Sequence, residues 1–530
     1  MDEKLFLKPN VLIEPLVNQW YAWPYLIPPV TAAMVVANSH LKIMRSYIKA
    51  PQIHAAAVKN PDMLGGPFID YDGKRVDEIK ALIESTIKEQ APLLELAEGI
   101  KTLEEQMRNE AKGYSLEPLY QKIPPALRGY VELVYDLNNH PAIRFFENLL
   151  YRSPYYDTSQ QSFSLSLMEE DYRSFIFSTP RLPDERKLQL HLPFRAEAMD
   201  QLFRMKHEPQ SLGAIKDALG LNGESDSLWQ TFLTARAPQN RASRYDGEGV
   251  RIRYYGHACL LIETRELSVL VDPFISYEYA SDIPRYTLSD LPDDIDYVLI
   301  THSHQDHAML ETLLHLRYKI KHLVVPRNSG GFLADPSLKL ILQQLGFKQI
   351  IELDELETLE IGEDSSVTGI PFLGEHCDVS VRSKIAHLVK MNGRLILCAA
   401  DSSNIEPELY DHVNQAVGDI DTLFLGMECY GGPLSWVYGP LITKSIDRKM
   451  DESRRLSGSD FVRGIDLVDR VGCSHAYVYA MGQEPWLTHI MSLKYDEDSL
   501  QITESNKLVE TCRNRGMVSE RLYGQKEIFL

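Results

Sequence analysis

The chain has 530 residues, more than one ordinary hydrophobic core takes up, so two or more domains are expected. Its apolar content of 44% and charged content of 25% are those of a water-soluble globular protein. A net charge of −20 argues against nucleic acid and anionic membrane surfaces as general partners, because both repel an acidic chain.

In chain order, the first apolar stretch is Pro24 to Ala37. Pro24, Pro28 and Pro29 interrupt it, it is too short to span a bilayer, and the acidic Asp2, Glu3 and Glu14 upstream argue against a secretory leader. From Val76 to Lys112 apolar residues recur with helical period. Val76, Ile79, Ile83 and Ile87 share one face, Leu93, Leu96, Ile100, Leu103 and Met107 resume it, and Pro92 marks a break between two helices. Further helical patterns surround Ala142 to Tyr151 and Glu197 to Met205. This half holds no cluster of ligating side chains. Residues 237–249 are polar and turn-rich, which predicts a boundary between an N-terminal domain, 1–247, and a second domain, 248–530.

Beyond the boundary come short β-rich runs: Val250 to Tyr255, Cys259 to Glu263, Ser268 to Val271, Tyr297 to Ile300 and His322 to Val325. Arg394 to Cys398, Thr422 to Leu425 and Ala476 to Tyr479 follow. Helical patterns lie between them, so a layered α/β domain with helices covering sheets is predicted. The second domain is expected to fold and bind metal by itself.

Residues Thr301 to His307 read Thr-His-Ser-His-Gln-Asp-His, directly after the apolar run Tyr297 to Ile300. The ligating groups therefore sit at a strand end. His302 and His304 are two apart, so extended backbone points both the same way, whereas Asp306 and His307 are adjacent and diverge as the chain turns. One metal ion can take the first pair and a second ion the other. Three imidazoles and a carboxylate at this spacing make a plain capped turn a poor explanation.

His-x-His-x-Asp-His at a strand end, an earlier Leu270-Val271-Asp272-Pro273 and a later Ala399-Ala400-Asp401 occur in that order in the metallo-β-lactamase superfamily, which the second half resembles. The resemblance implies an αββα sandwich, with His302 and His304 on one metal, Asp306 and His307 on the other, and Asp401 between both. Asp272 and His257 are implied as supports behind the ligands. Where hydrolases of that superfamily place a ligand histidine, this chain reads Gly374-Glu375-His376, and where they place the last one it reads Tyr479-Ala480-Met481-Gly482. The set is thereby richer in carboxylate, with Glu375 added and Glu428, at the end of another apolar run, standing either on a metal or beside one. Hard oxygen donors mixed with imidazole suit iron better than an all-nitrogen set does.

With that exchange, with Asn18-Gln19-Trp20-Tyr21-Ala22-Trp23-Pro24-Tyr25-Leu26 near the start and with Tyr477 to Gly482 near the end, the whole chain resembles the CmlA-type non-haem diiron β-hydroxylases of nonribosomal peptide biosynthesis. The resemblance implies an α/β protein with a family-specific, helix-rich N-terminal domain used for dimerisation or docking. It implies two iron ions, dioxygen as co-substrate, and Glu375 and Glu428 as the carboxylates against which the reaction proceeds. The implied substrate is an aminoacyl group carried as a thioester on a peptidyl carrier domain, the implied partners an external electron donor and a second copy of the chain. The rival is a zinc hydrolase of lactonase or phosphodiesterase type that would recruit His376 and His489. Lys444, Arg448, Lys449, Arg454 and Arg455 form a basic run that would suit an acidic carrier. All six cysteines lie in the second half without paired spacing, which places the chain in the cytoplasm.

Overall fold

The computed structural model describes residues 4–221, 226–239 and 244–530. The second half is built on two seven-stranded sheets. The first contains β1 (Arg251–Gly256), β2 (Cys259–Glu263), β3 (Ser268–Val271), β4 (Ile295–Leu299), β5 (Ile320–Pro326) and β6 (Ile350–Leu353). The second contains β7 (Thr358–Gly362), β8 (Ser365–Ile370), β9 (Ala386–Met391), β10 (Arg394–Cys398), β11 (Thr422–Gly426), β12 (His475–Tyr479) and β13 (Val518–Arg521), while β14 (Lys526–Phe529) returns to the first. The orders are β6-β5-β4-β3-β2-β1-β14 and β7-β8-β9-β10-β11-β12-β13. The β3-β4, β10-β11 and β11-β12 pairs are parallel, so their carboxyl ends share one rim.

Side-chain alternation explains the layering, because successive residues of a strand point to opposite faces. Leu260, Ile262, Val269 and Val271 of the first sheet meet Ile396, Cys398, Phe424, Tyr477 and Tyr479 of the second in one core. Their neighbours Leu397, Leu423, Leu425, Ala476 and Val478 point outward onto helices Glu408–Val417, Phe461–Val471 and Leu500–Asn514. On the other side, Leu261, Leu270 and Val298 pack under helices Leu310–Leu316 and Leu338–Gln344. The result is the αββα sandwich that the resemblance implies.

The N-terminal half is helical, with Val76–Glu89 and Ala91–Glu110 broken at Gln90 just before Pro92. It also carries an antiparallel four-stranded sheet of Trp20–Tyr21, Val11–Val17, Gln161–Leu167 and Leu188–Leu190. The helical pattern expected from Ala142 onward is corrected. Pro141–Phe145 is a strand paired with Val131–Tyr135, burying Ile143 and Phe145 with period two, and only Glu147–Leu150 is helical. Part of the expected boundary, 240–243, lies outside the described residues.

The two halves share their cores. Leu7, Val11, Phe163, Leu202 and Phe203 pack with Val298, Leu310 and Leu323. Trp20, Tyr25, Met34 and Leu96 pack with Leu434, Val437 and Tyr438. Residues 248–530 alone would expose those faces to water, which sets aside the expectation that the second half folds independently.

Candidate metal centre

The site gathers at the rim where the parallel strands end. Asp272 follows β3, His302 to His307 follow β4, Asp401 follows β10 and Glu428 follows β11. Glu375 lies five residues beyond the end of β8. The backbone is strained here: His257, Asp272, Glu375, Ala400, Cys429 and Ala480 all have positive φ, from 39° at Asp272 to 61° at Glu375. Such conformations cost on the order of 1–3 kcal/mol each outside glycine and collect where a side chain must be aimed.

His302 Nε2 lies 3.6 Å from Asp401 Oδ2, and His307 Nε2 lies 2.9 Å from the same oxygen, so Asp401 sits between the two imidazoles. His304 Nδ1 is 3.1 Å from Glu375 Oε1. Asp306 Oδ2 is 3.6 Å from His307 Nε2 and 3.1 Å from His257 Nε2. Three donor groups converge closely enough to hold a cation: His302 with His304 and Glu375, His302 with His307 and Asp401, and His257 with Asp306 and His307. Ligand atoms about 2.1 Å from a common ion stand about 3–3.5 Å apart, which matches these separations.

The donors also lack other work. His302 Nε2, His307 Nε2, Glu375 Oε2, Asp401 Oδ1 and Glu428 Oε1 are buried without a hydrogen-bond partner. Leaving charged oxygens in that state is costly unless a cation takes them. Four carboxylates, Asp306, Glu375, Asp401 and Glu428, are at most 7% exposed. Ionised together by bound cations, they would balance two divalent ions, and the oxygen-rich mixture suits iron.

Electrostatics follow from this crowding. Burial pushes Glu375 and Glu428 well above the usual carboxylate range, and the negative Asp401 and Asp306 push them further. Burial would also raise Asp306, but His307 and His257 beside it outweigh that and hold it below its ordinary value. Burial lowers His302 far below the usual histidine range and lowers His304 to about 4, so both favour the neutral, metal-binding form. Burial disfavours charge on His307 as well, but Asp401, Asp306 and Asp272 raise it.

Supporting residues fix these rings. Asp272 Oδ2 accepts from His307 Nδ1 at 2.7 Å and from the Thr301 hydroxyl at 2.6 Å, and its other oxygen accepts from Thr301 N at 2.8 Å. His257 accepts from Gly482 N at Nδ1, 3.2 Å away, leaving Nε2 toward Asp306. His304 Nε2, the nitrogen turned away from Glu375, meets the Tyr438 hydroxyl at 3.2 Å.

His376 stacks on His304 with centroids 4.5 Å apart and joins none of the three donor groups. His489 lies elsewhere, its ring edge-on to Tyr21 and Phe274, each 6.1 Å away. His475 opens β12 at the opposite end of that strand. The basic run divides: Arg454 Nε donates to Cys377 O and Arg455 Nε to Gly431 O, each at 2.9 Å, so both brace site loops. Lys444, Arg448 and Lys449 remain exposed.

A cavity of about 410 Å³ reaches His304, Asp306, Glu375 and Glu428. Tyr430, Trp436 and Tyr495 wall it, and the N-terminal half contributes Asp62, Leu64 and Gly65. A neighbouring cavity of about 530 Å³, bordered by Tyr172 and Arg173, shares Leu64, Gly65, Ser492, Leu493 and Tyr495 with it. Sequence reasoning missed these N-terminal wall residues, because nothing in their types or spacing connects them with a motif 240 residues away.

The family model described as the diiron non-haem β-hydroxylase N-terminal domain matches residues 6–238, and that of a β-lactamase superfamily domain matches residues 251–425. The 4-amino-L-phenylalanyl-[CmlP-peptidyl-carrier-protein] 3-hydroxylase of Streptomyces venezuelae is 39% identical over 530 residues, covering 99% of each chain. The crystal structure of CmlA, a diiron β-hydroxylase from Streptomyces venezuelae, superposes with a TM-score of 0.93 at 38% identity, covering 100% of both chains. A UPF0173 protein of Pyrococcus abyssi is 28% identical over 127 residues, 24% of this chain and 50% of that protein.

Proposed function

Because the chain belongs to the diiron non-haem β-hydroxylases, we propose that it hydroxylates the β-carbon of an aminoacyl group held as a thioester on a peptidyl carrier domain of a nonribosomal peptide synthetase. The observation that carries this reading is the carboxylate-rich donor set at the floor of a cavity walled by both halves. His302, His304 and Glu375 would hold one iron ion and Asp306 and His307 the other, with Asp401 between them and Glu428 beside them. Iron held by these residues would supply the reducing chemistry by which dioxygen is activated.

The chain's own residues do the rest. Glu375 and Glu428 border the cavity, so the target carbon is brought against them, and Tyr430, Trp436 and Tyr495 keep water away from that contact. Asp272 and His257 hold His307 and Asp306 in orientation. One oxygen atom enters the C–H bond and the other leaves as water, which consumes two electrons and two protons per turnover and calls for an external electron donor. Residues 1–247 serve docking and dimerisation, and residues 248–530 carry the chemistry. Six cysteines without a disulfide favour a reducing, cytoplasmic setting, and no helix among the described residues is long and apolar enough to cross a membrane.

The test is iron analysis of protein expressed in iron-replete medium, followed by mass spectrometry of an aminoacyl-loaded carrier domain exposed to reduced enzyme and oxygen. Two iron ions per chain and a carrier heavier by one oxygen atom are expected. Two zinc ions with thioester hydrolysis and no oxygen uptake would replace this reading with the hydrolase one.

A further inference from the structure

The short helix Leu434–Val437 separates two openings. Trp436 and Val437 line the cavity that reaches the metal donors, whereas Leu434 and, just beyond the helix, Tyr438 line an open groove of about 330 Å³. The two openings share no lining residue. Yet the groove stands one side chain away from the centre. The Tyr438 hydroxyl meets His304 Nε2 at 3.2 Å, and Nδ1 of the same ring is 3.1 Å from Glu375.

The groove has the make-up of a docking patch. Leu333, Ala334, Val379, Ile442 and Ile446 give it an apolar floor that the fold leaves half-buried. Lys444 and Arg454 line it as well, and the helix Arg448–Ser453, held between Ile446 and Arg454, adds Lys449. From Lys444 to Arg455 the chain carries five basic residues, Lys444, Arg448, Lys449, Arg454 and Arg455, against the acidic Asp447, Asp451 and Glu452, so this face is positive in a protein of net charge −20. The acids are also engaged. Asp447 accepts from Met450 N, Asp451 from the Ser435 backbone and hydroxyl, and Glu452 from Arg448 Nε. Glu104, the acidic residue that lines the groove, is 3.5 Å from Arg108. Lys444 and Lys449 are exposed and make no ion pair among the described residues.

A carrier-borne substrate must bring its β-carbon to the metal donors, and this groove gives it no passage. An electron needs no passage, only a short path, because its transfer falls off with distance and is not stopped by a side chain. We infer that the groove is where the external electron donor docks, and that this donor is a small acidic one-electron carrier protein. Two visits deliver the two electrons of a turnover, one to each of two ferric ions, and the donor is oxidised by one electron each time. The positive rim steers an acidic partner, and a small apolar floor suits the brief encounters of redox proteins. The inference rests on the hydroxylase reading of the site.

The experiment compares the iron-loaded full chain with its Lys444→Glu/Lys449→Glu variant, using an acidic [2Fe–2S] ferredoxin as the probe. Both lysines lie outside the metal centre, so iron content should be unchanged. Calorimetry should show ferredoxin binding to the parent, weakening as salt is raised, and binding about 10-fold weaker in the variant, the lower end of what electrostatic steering supplies. Stopped-flow mixing of the diferric protein with reduced ferredoxin should show a matching fall in rate. Dithionite, which needs no docking, should reduce both proteins equally, and both should then half-saturate at the same concentration of aminoacyl-loaded carrier. A parent that ferredoxin neither binds nor reduces, or a variant within twofold of the parent, would overturn the inference. A rise in the variant's half-saturating carrier concentration would overturn it too, giving this face to the carrier. Zinc in place of iron in the parent would instead remove the hydroxylase reading beneath it.

Discussion

Replacing Asp272 with asparagine tests how far the metal centre depends on a residue that need not touch metal. The carboxylate takes three donors on two oxygens, from His307 Nδ1, the Thr301 hydroxyl and Thr301 N. Asparagine has almost the same shape and tolerates the positive φ of this position, so the backbone is left alone. Its amide nitrogen, however, must face one of those donors. If it faces Thr301 N, a buried backbone donor loses its partner. If it faces His307, the ring takes the other tautomer and its Nε2 proton points at Asp401. Either way a hydrogen bond to a charged group is lost, about 1.5–3 kcal/mol, which corresponds to about 10–100-fold in metal affinity. Anaerobic competition for iron(II) measures it directly. Asp272→Asn with affinity within twofold of the parent would show that His307 holds its orientation without the carboxylate.

Asp401→Ala removes the oxygen that faces both His302 and His307, and iron analysis should then find at most one ion per chain. Glu375→His should retain metal but lose hydroxylation or gain zinc preference, read by metal content and product mass, and unchanged turnover would redirect attention to His376. Arg173→Met should destabilise the fold by about 3 kcal/mol in urea denaturation, because it leaves Glu311 and part of Glu14 as buried anions without their cation, and adding Glu311→Gln should recover much of the loss. Glu14 bears on pH as well. Burial would raise it, but Arg181 and Arg173 outweigh that and bring it down to about 2 from 4.5. A depressed carboxylate contributes stability that is complete above 4.5 and lost as pH falls towards 2, so the parent should lose stability across that window and Arg173→Met should lose less. Residues 248–530 expressed alone should aggregate rather than fold, read by size-exclusion chromatography, because both shared cores would be open.

Strands that carry the metal centre were legible where they are buried on both faces and read as apolar runs, as at Ser268–Val271 and Thr422–Gly426. The strands that went unread are more polar or lie at edges. β7 buries only Ile361 fully, and β14 finds its partner β1 more than 250 residues back along the chain. His302, His304, Asp306 and His307 announced themselves through spacing and Glu375 and Asp401 through the resemblance, and the structure brings all six together. Glu375 rather than His376 faces His304 Nδ1, because Gly374 at φ 81° and Glu375 at φ 61° turn the chain at that point. Tyr438, Trp436 and Leu64 had no such signal. An aromatic or aliphatic residue in a loop looks the same in sequence whether it lines a cavity or fills a core, and only the packing of one half against the other separates the two cases.

The central claim, that this cavity directs oxygen from dioxygen into a carrier-bound aminoacyl group, is tested most directly by isotope incorporation. Reduced, iron-loaded enzyme is mixed with an aminoacyl carrier domain under isotopically heavy dioxygen in ordinary water, and the intact carrier is weighed and its aminoacyl group fragmented. The account predicts one heavy oxygen atom on the β-carbon, with the thioester intact. An unlabelled hydroxyl, a free amino acid released by hydrolysis, or equal labelling of an untethered amino acid would contradict it.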